Sequence, residues 1–373
     1  MPLAETIFWF IAGLAALISG AEFVVRAASR LAGFFGVSRL VIGLTIVAFG
    51  TSAPELAISL KAGLVGQTDL MMGNIVGSNI TNILLILGIT ALVMPLKVHT
   101  SLIRFDVPVM IGISILLFFF ALSGAITLAE SGVLAFLLLV YLLYLGFQGK
   151  NPSVPSDAEK QKRTPVLILL YLILGVAGLI LLINGAGWLV ESAVVLAEMA
   201  GVSELVIGLT IVALGTSLPE VVTSLVAAVK GERDIAVGSV IGSNILNILA
   251  VLGVSGLFIP EINVQPSLIS FDLWIMLAVS FACLPIFFTG NKIARWEGVV
   301  FLGYYIAYMI YLFLSSAQHD ALDTYNSVML YFVIPLTVMT VVVILAYEFK
   351  KRWRFRHFRG FGAARKDETN GNE

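Results

Sequence analysis

Two glutamates, Glu55 and Glu220, lie deep inside apolar stretches of the chain. Each comes about 15 residues into its stretch, near the centre of a helix long enough to cross a membrane. No lysine or arginine occurs at that depth in either stretch. An ionised carboxylate there costs several kcal/mol unless it is paired or binds a cation. The pattern therefore predicts a cation site with two carboxylates; two protonated, hydrogen-bonded glutamates are the alternative.

A proline immediately precedes each glutamate, and a glycine lies four residues before that proline. Because proline has no N–H, the carbonyls of Gly50 and Gly215 lose their helical partners. Each helix is predicted to be kinked or broken in mid-membrane, where irregular backbone is tolerated only if it is buried or lines a cavity. A simple proline kink is the alternative. Carbonyl oxygens are predicted to be free near Ala48, Thr51, Ala213 and Thr216.

The apolar stretch that follows each glutamate supplies hydroxyl and amide oxygens. Ser78 and Asn82 are four residues apart, so they share one face of a helix. The complete set contains only oxygen ligands, which suits calcium or sodium and not zinc or copper. Two carboxylates would neutralise one calcium ion. The second copies are Ser243 and Asn247, and the adjacent Asn79 and Asn244 are open to both ion coordination and contacts between helices.

These polar residues belong to an internal repeat. Residues 41–88 align with 206–253 at a constant offset of 165 without a gap, with 28 identities in 48 positions. Gly-Thr-Ser-Ala-Pro-Glu at 50–55 recurs as Gly-Thr-Ser-Leu-Pro-Glu at 215–220. Each copy contains five apolar spans, an odd number, so the second copy must enter the membrane from the opposite side. Inverted repeats are typical of secondary transporters that bind substrate near the midplane.

The composition excludes several classes of protein. The 373 residues are 59% hydrophobic and 12% charged, whereas soluble domains have about 25% charged residues, so a soluble enzyme is excluded. One cysteine and three histidines give no disulfide and too few zinc ligands. No nucleophile–base pair indicates an intramembrane enzyme, and a net charge of −1 gives no attraction for nucleic acid. We expect no enzymatic activity, no cofactor and no obligate protein partner.

Apolar segments divide the chain into an all-α membrane protein with two inverted five-helix repeats, a ten-helix core, and an eleventh C-terminal span. The spans are expected near 5–31, 39–65, 70–94, 105–123, 126–147, 165–197, 204–230, 235–259, 268–289, 295–315 and 326–348. The predicted units are the first repeat 1–147 with motif helices 39–94, a cytoplasmic linker 148–165, the second repeat 166–315 with motif helices 204–259, the extra helix 326–348 and a basic tail 349–373.

The distribution of basic residues predicts the orientation. With eleven spans, 21 of the 22 lysines and arginines fall on one side, and Lys61 is the exception. Basic residues mark the cytoplasmic side. The N-terminus is therefore predicted outside and the C-terminus in the cytoplasm, with the protein in the plasma (inner) membrane.

Two further features have structural interpretations. Asp106 and Asp272 open spans four and nine in similar Ser-Leu-Ile-x-Phe-Asp contexts and are expected to act as helix caps; a role as ion ligands is the less favoured alternative. Ser19-Gly20-Ala21 of span one matches Asn184-Gly185-Ala186 of span six. These small residues permit close contact between helices, either for sliding or for tight packing.

The paired Gly-Thr-Ser-x-Pro-Glu segments and their Gly-Ser-Asn partners resemble the α-repeats of the sodium/calcium exchanger family, within the cation/calcium antiporters, and specifically its compact prokaryotic branch. The resemblance covers spans one to ten. It implies that spans two, three, seven and eight form the ion-binding core and that spans one and six slide against it. The eleventh span departs from this ten-helix pattern.

The resemblance also implies roles for individual residues. Calcium would bind Glu55 and Glu220. Some relatives have aspartate at one of the central asparagine positions; asparagine at both argues against potassium dependence. The further ligands implied are backbone oxygens of Thr51 and Thr216 for calcium, Ser52, Ser217, Ser78, Ser243 and the carbonyls of Ala48 and Ala213 for sodium, and Asn82 and Asn247 at the central position.

The sequence thus predicts a sodium-driven, electrogenic calcium antiporter that works by alternating access at a midplane site. Its partners would be calcium ions, sodium ions and membrane lipids. An antiporter that exchanges protons for calcium or another divalent cation is the alternative, because buried glutamates also bind protons. A cation channel is less favoured, since broken helices in inverted repeats are typical of alternating access.

Overall fold

The computed structural model describes residues 2–148, 164–200, 213–288, 290–317, 319, 321–335, 338–339 and 342. In this part of the chain, eight helices are long and apolar enough to cross a membrane, and one bent helix pair is together long and apolar enough to count as a ninth. The predicted all-α, multi-pass membrane fold is confirmed. The helices are α1 (Leu3–Phe35), α2 (Arg39–Thr51), α3 (Ala53–Leu64), α4 (Thr68–Val93), α5 (Leu102–Ala121), α6 (Leu128–Gln148), α7 (Pro165–Met199), α8 (Ala213–Gly215), α9 (Leu218–Val229), α10 (Arg233–Gly256), α11 (Leu268–Phe288), α12 (Arg295–Ser316) and α13 (Ala321–Val328).

The helices that carry the repeated polar residues lie at the centre. Residues 235–246 of α10 are all buried, and most of α4 is buried as well. The apolar side chains of α6 and α7 are largely exposed on the outside of the bundle, where lipid would cover them. A helix that is apolar all round can therefore be placed at the rim, whereas α4 and α10 bury polar groups that must find partners inside the protein.

The predicted mid-span break occurs at Ser52. The axes of α2 and α3 differ by 48° there, and Ser52 itself has φ −82° and ψ 7°, outside the helical region. Ser217, its equivalent in the second repeat, has nearly the same conformation, with φ −88° and ψ 2°. Both residues lie in the sparsely populated bridge region that recurs at functional sites. The break is thus built into both repeats.

Four short strands, which the sequence did not predict, join the two repeats at their ends. Strand β1 (Leu96–Lys97) pairs with β4 (Lys292–Ile293), and β2 (Ala125–Thr127) pairs with β3 (Glu261–Asn263). An offset of 165 relates β1 to β3, yet they belong to different ladders. Each ladder thus pairs a strand of the first repeat with a strand of the second repeat that is not its sequence equivalent, as an inverted arrangement requires.

The long helices α1 and α7 run against each other with their backbones in contact at four glycines. A Cβ atom placed on Gly20 would lie 2.7 Å from the carbonyl oxygen of Gly178, and one on Gly185 would lie 2.9 Å from that of Gly13. The same offset of 165 relates Gly13 to Gly178 and Gly20 to Gly185. No side chain fits between the helices at these points, so α1 and α7 form one closely packed unit.

Asp106 and Asp272 are not helix caps, contrary to expectation. Each helix already begins four residues earlier with a wide π-helical turn, so both aspartates lie within helical backbone. Their carboxylates instead accept hydrogen bonds from phenols, Tyr141 Oη at 3.2 Å from Asp106 and Tyr308 Oη at 2.8 Å from Asp272. These bonds tie the last two helices of each repeat together.

At one end of the bundle, ionic contacts join α1 and α2 to the second repeat. Lys230 Nζ lies 2.5 Å from Glu22, and Arg39 lies 3.0 Å from Glu232. Ser29 Oγ also donates to Glu232, at 2.7 Å. These contacts occur once and are not repeated by the internal symmetry. The positions related to Lys230, Glu232, Glu22, Arg39 and Ser29 by the offset of 165 are occupied by Val65, Gln67, Gly187, Glu204 and Val194.

Parts of the predicted organisation lie outside the described residues. The described start of the expected eleventh span overlaps the end of α13 and includes a further helical turn over Met329–Val333. Most of 334–348, the linker residues 149–163, the first part of span seven and the tail 349–373 are not described. The domain boundaries and the total number of spans therefore stay predictions.

The glycine contacts predict a position-specific loss of stability. Gly185→Val would force α1 and α7 apart and lower the free energy of unfolding by about 1–3 kcal/mol, the usual cost of overpacking. Gly187→Val is the matched control, because Gly187 lies on the same helix and a Cβ atom added there would meet nothing within 4 Å. Thermal denaturation of both variants in detergent measures the difference. Equal midpoints would contradict the close approach.

Candidate cation site

The two buried glutamates begin the helices that follow the breaks. Glu55 lies in the first turn of α3 and Glu220 in the first turn of α9, and they are 1% and 3% exposed. Pro54 and Pro219 favour a helix start at this point, because their fixed φ suits the first turn. Unpaired N–H groups at a helix N-terminus stabilise a nearby negative charge. The break therefore positions each carboxylate and partly stabilises it.

The serines at the breaks connect each repeat to the glutamate of the other. Ser52 Oγ donates to Glu220 Oε1 at 3.1 Å, and Ser217 is the corresponding hydrogen-bonding partner of Glu55. The hydroxyls of Ser52 and Ser243 lie 2.9 Å apart, which extends the contact to α10. The two glutamates are close enough to interact electrostatically. The site therefore contains groups from both repeats.

Within the described part of the chain, four buried oxygens in this region have no hydrogen-bond donor. They are Oε2 of Glu55, Oε2 of Glu220, Oδ1 of Asn82 and Oδ1 of Asn247, two pairs of equivalent atoms from the two repeats. A buried polar atom without a partner costs about 1–3 kcal/mol, and more if it is charged. Carboxylate and amide oxygens that lack donors are the ligands that a hard cation takes. The arrangement therefore fits a sodium or calcium ion.

No basic side chain neutralises the two glutamates within the described residues. The salt bridges there, Arg39–Glu232 and Lys230–Glu22, involve other carboxylates at one end of the bundle. The described residues also contain no group of three or more histidine, cysteine, aspartate or glutamate side chains that could hold a metal. Two carboxylates do not supply enough ligands for a cation, so hydroxyl, amide and carbonyl oxygens would have to supply the rest.

The remaining predicted ligands occupy different environments. Thr51 is fully buried, but its hydroxyl donates to the Ala48 carbonyl at 3.3 Å, and the backbone N–H of Ser52 donates to the same oxygen at 2.9 Å. The prediction that the Ala48 carbonyl is free is wrong, because helical bonding continues up to Ser52. Thr216 is half-buried, and Ala213 begins the short helix α8.

The polar residues of α4 and α10 lie at the start of wide turns. Ser78 and Ser243 are buried one helical turn before Asn82 and Asn247, and a π-helical turn begins at each asparagine, over Asn82–Leu87 and Asn247–Leu252. Such turns occur often at functional sites. The structure thus brings the predicted serines and asparagines to matching places in both repeats, while their roles as ligands stay predictions.

Sequence reasoning missed a supporting layer beneath the glutamates. Asn74 Nδ2 donates to Ser59 Oγ at 2.9 Å and to the backbone carbonyl of Glu55 at 3.4 Å. In the second repeat the hydroxyls of Ser224 and Ser239 lie 3.3 Å apart. The sequence contained a sign of this layer. Ser59 follows Glu55 by four residues and so shares its helix face, and the positions of Ser59 and Asn74 are also polar in the second copy, where they are Ser224 and Ser239.

Comparison with known proteins finds one family. The family model described as sodium/calcium exchanger protein matches residues 5–148 and 170–314. The chain is 39% identical over 311 residues to the inner membrane protein YrbG of Escherichia coli (strain K12), covering 81% of this chain and 95% of that protein. It is 35% identical over 342 residues to the sodium/calcium exchanger MaX1 of Methanosarcina acetivorans, covering 81% and 96%.

A solved structure has the same fold. The sodium-calcium exchanger NCX_Mj, soaked with 2.5 mM Na⁺ and 0.1 mM Ca²⁺, superimposes with a TM-score of 0.70 at 32% sequence identity. The match covers 81% of this chain and 96% of that chain. The similarity therefore extends over nearly the whole length of the relatives.

The supporting layer predicts a stability effect at Asn74. Asn74→Ala would leave the Glu55 carbonyl and the Ser59 hydroxyl without this donor and lower the free energy of unfolding by about 1–2 kcal/mol. Asn184→Ala is the control, because Asn184 is exposed and its amide donates within its own helix, to the Ile180 carbonyl at 2.7 Å. Denaturation midpoints in detergent compare them. An equal shift for both variants would argue against a supporting role.

Proposed function

Because the chain belongs to the sodium/calcium exchanger protein family, we propose that it exchanges sodium for calcium across the plasma membrane by alternating access. The ions would bind between the repeats, at Glu55 and Glu220. The observation that carries the proposal is a set of four buried oxygens, two from carboxylates and two from amides, that have no donor among the described residues. The N-terminus would lie outside and the C-terminus in the cytoplasm.

The charge of the site supports competition between the two ions. Two ionised glutamates give the site a charge of −2, which one calcium ion or two sodium ions would neutralise. Both ions prefer oxygen ligands, so they would use overlapping groups, including Ser52 and Ser217. Binding of one kind of ion would therefore displace the other, as exchange requires.

The same charge accounts for exchange without leak. An empty site would hold two uncompensated carboxylates in a region closed off from water, which costs several kcal/mol. The empty protein would therefore resist the conformational change that passes through a closed state. A loaded site is neutral and can be closed, so only the loaded protein would change its accessible side.

The packing of α1 against α7 supports a defined moving part. Because Gly13, Gly20, Gly178 and Gly185 hold the two backbones together, we propose that α1 and α7 shift as one unit relative to the site helices. The site residues lie on α3, α4, α9 and α10 and at the breaks before α3 and α9. The ligands would thus stay together while access changes.

Protons are the second candidate for the coupling ion. The unpartnered Oε2 atoms of Glu55 and Glu220 could each carry a proton, and the free amide oxygens of Asn82 and Asn247 could accept hydrogen bonds from them. Loading with protons would also neutralise the site. The two mechanisms differ in the gradient that drives calcium.

Transport by purified protein separates these functions. Proteoliposomes loaded with sodium, potassium or neither are given radioactive calcium outside, and a pH gradient is imposed in a separate set. We expect uptake only with an outward sodium gradient. Enhancement by an inside-positive potential would show that more than two sodium ions leave for each calcium ion, and no effect of the potential would show that two do. Uptake driven by the proton gradient and indifferent to sodium would replace the proposal by proton/calcium exchange. Currents far above carrier turnover rates would indicate a channel.

The glutamates themselves give the sharpest mutational test. Glu55→Gln or Glu220→Gln halves the charge of the site and replaces a ligand oxygen by a donor, so we expect calcium uptake to fall to background. Asp69→Asn is the matched control, since Asp69 is an exposed carboxylate in the first turn of α4. Its uptake should match that of the unmodified protein. Full transport by both glutamine variants would refute the site.

A further inference from the structure

Asn79 and Asn244 each contact the central asparagine of the other repeat. Asn82 Nδ2 donates to Asn244 Oδ1 at 2.9 Å, and Asn247 Nδ2 donates to Asn79 Oδ1 at 3.2 Å. All four side chains are about 1% exposed. These bonds cross between α4 and α10, and the offset of 165 relates one bond to the other. The same contact is therefore made twice.

The orientation of the Asn244 amide is fixed by two neighbouring groups that can accept hydrogen bonds but cannot donate them. Its Nδ2 donates to the backbone carbonyl of Asn79 at 3.3 Å and to Met110 Sδ at 3.6 Å. A carbonyl oxygen and a thioether sulfur have no proton to give. The NH₂ group of Asn244 must therefore face them, which leaves Oδ1 of Asn244 to face Asn82.

The second repeat has the corresponding arrangement. Asn79 Nδ2 donates to Met276 Sδ at 3.7 Å, and this leaves Asn79 Oδ1 to accept from Asn247. Met110 and Met276 occupy matching positions on α5 and α11, four residues after Asp106 and Asp272. Each chain of contacts thus begins at a methionine outside the repeated motif and ends at a central asparagine.

These hydrogen bonds determine which atom of each central asparagine is left without a partner. With Nδ2 engaged, the amides of Asn82 and Asn247 present Oδ1 as the atom without a partner, and both atoms are buried. If either amide rotated by 180°, NH₂ would take the place of that oxygen. An amide NH₂ carries partial positive charge and repels a cation, whereas the carbonyl oxygen coordinates it.

We propose that Asn79 and Asn244 are positioning residues that hold Asn82 and Asn247 with their carbonyl oxygens toward the transported cation. This inference rests on the proposed function, because it assigns the free oxygens to that ion. It also resolves the choice that the sequence left open for Asn79 and Asn244. Their oxygens accept from the neighbouring amides and so act on the ion through another residue.

A carboxylate in place of a central amide tests the idea, because aspartate presents an oxygen in either orientation. We compare Asn244→Leu alone with the same change in an Asn82→Asp background. Leucine has the same number and branching of side-chain heavy atoms as asparagine, and it neither donates nor accepts hydrogen bonds. Calcium binding to the purified protein is measured by titration calorimetry, which does not depend on transport.

We expect Asn244→Leu to weaken calcium binding at least ~10-fold in the native background, because the Asn82 oxygen would no longer be held toward the ion, a loss comparable to that of one hydrogen bond to a charged group. In the Asn82→Asp background the same change should alter binding less than about 2-fold. Equal losses in both backgrounds would show a general packing role and overturn the proposal, and so would unchanged binding in the single variant. If Asn244→Leu does not give monodisperse protein, Asn79→Leu with and without Asn247→Asp decides by the same criterion.

Two controls separate this inference from the proposed function. Asn184→Leu, at an exposed position on α7, should bind calcium like the unmodified protein. If the unmodified protein binds calcium but shows no sodium-driven uptake, the coupling proposal fails and the comparison of backgrounds still decides the positioning role. If the unmodified protein binds neither calcium nor sodium, both fail.

Discussion

The rest of this structure depends on two carboxylates that are buried together and have no basic partner among the described residues. Ionised groups in a low-dielectric region repel each other and lose their hydration, so the fold must either supply compensation or leave room for a cation. The chain does both. It breaks two helices so that each glutamate lies at a helix N-terminus, and it sets a serine from the opposite repeat against each carboxylate. What remains uncompensated is a set of oxygens that suits a cation.

Much of this could be predicted from the sequence, because a motif of polar residues that recurs in step within apolar surroundings has few explanations. The proline before Glu55 and the glycine before that proline predicted the break, and the structure confirms it at Ser52. The four-residue spacing of Ser78 and Asn82 placed both on one helix face. These features depend on local chemistry and on spacing along one helix.

Other features depend on how the repeats pack, and spacing alone does not determine them. The bond from Asn82 to Asn244 joins residues 162 positions apart, and Met110, which accepts a hydrogen bond from Asn244, lies outside the aligned segments 41–88 and 206–253. The helix-cap prediction for Asp106 was wrong because a wide turn extends the helix backward, which a sequence pattern does not reveal. The Ala48 carbonyl was predicted to be free, but the Thr51 side chain and the Ser52 N–H both bond to it.

The ionic contacts at one end of the bundle give the molecule a polarity that its repeat alone would not have. The pairs Glu22–Lys230 and Arg39–Glu232 are partly exposed, and such surface ion pairs stabilise a protein less as the salt concentration rises. Sodium in the solution at that end thus has two roles. It is a candidate substrate for the central site, and it is also part of the electrolyte that loosens the attachment of α1 and α2 to the second repeat.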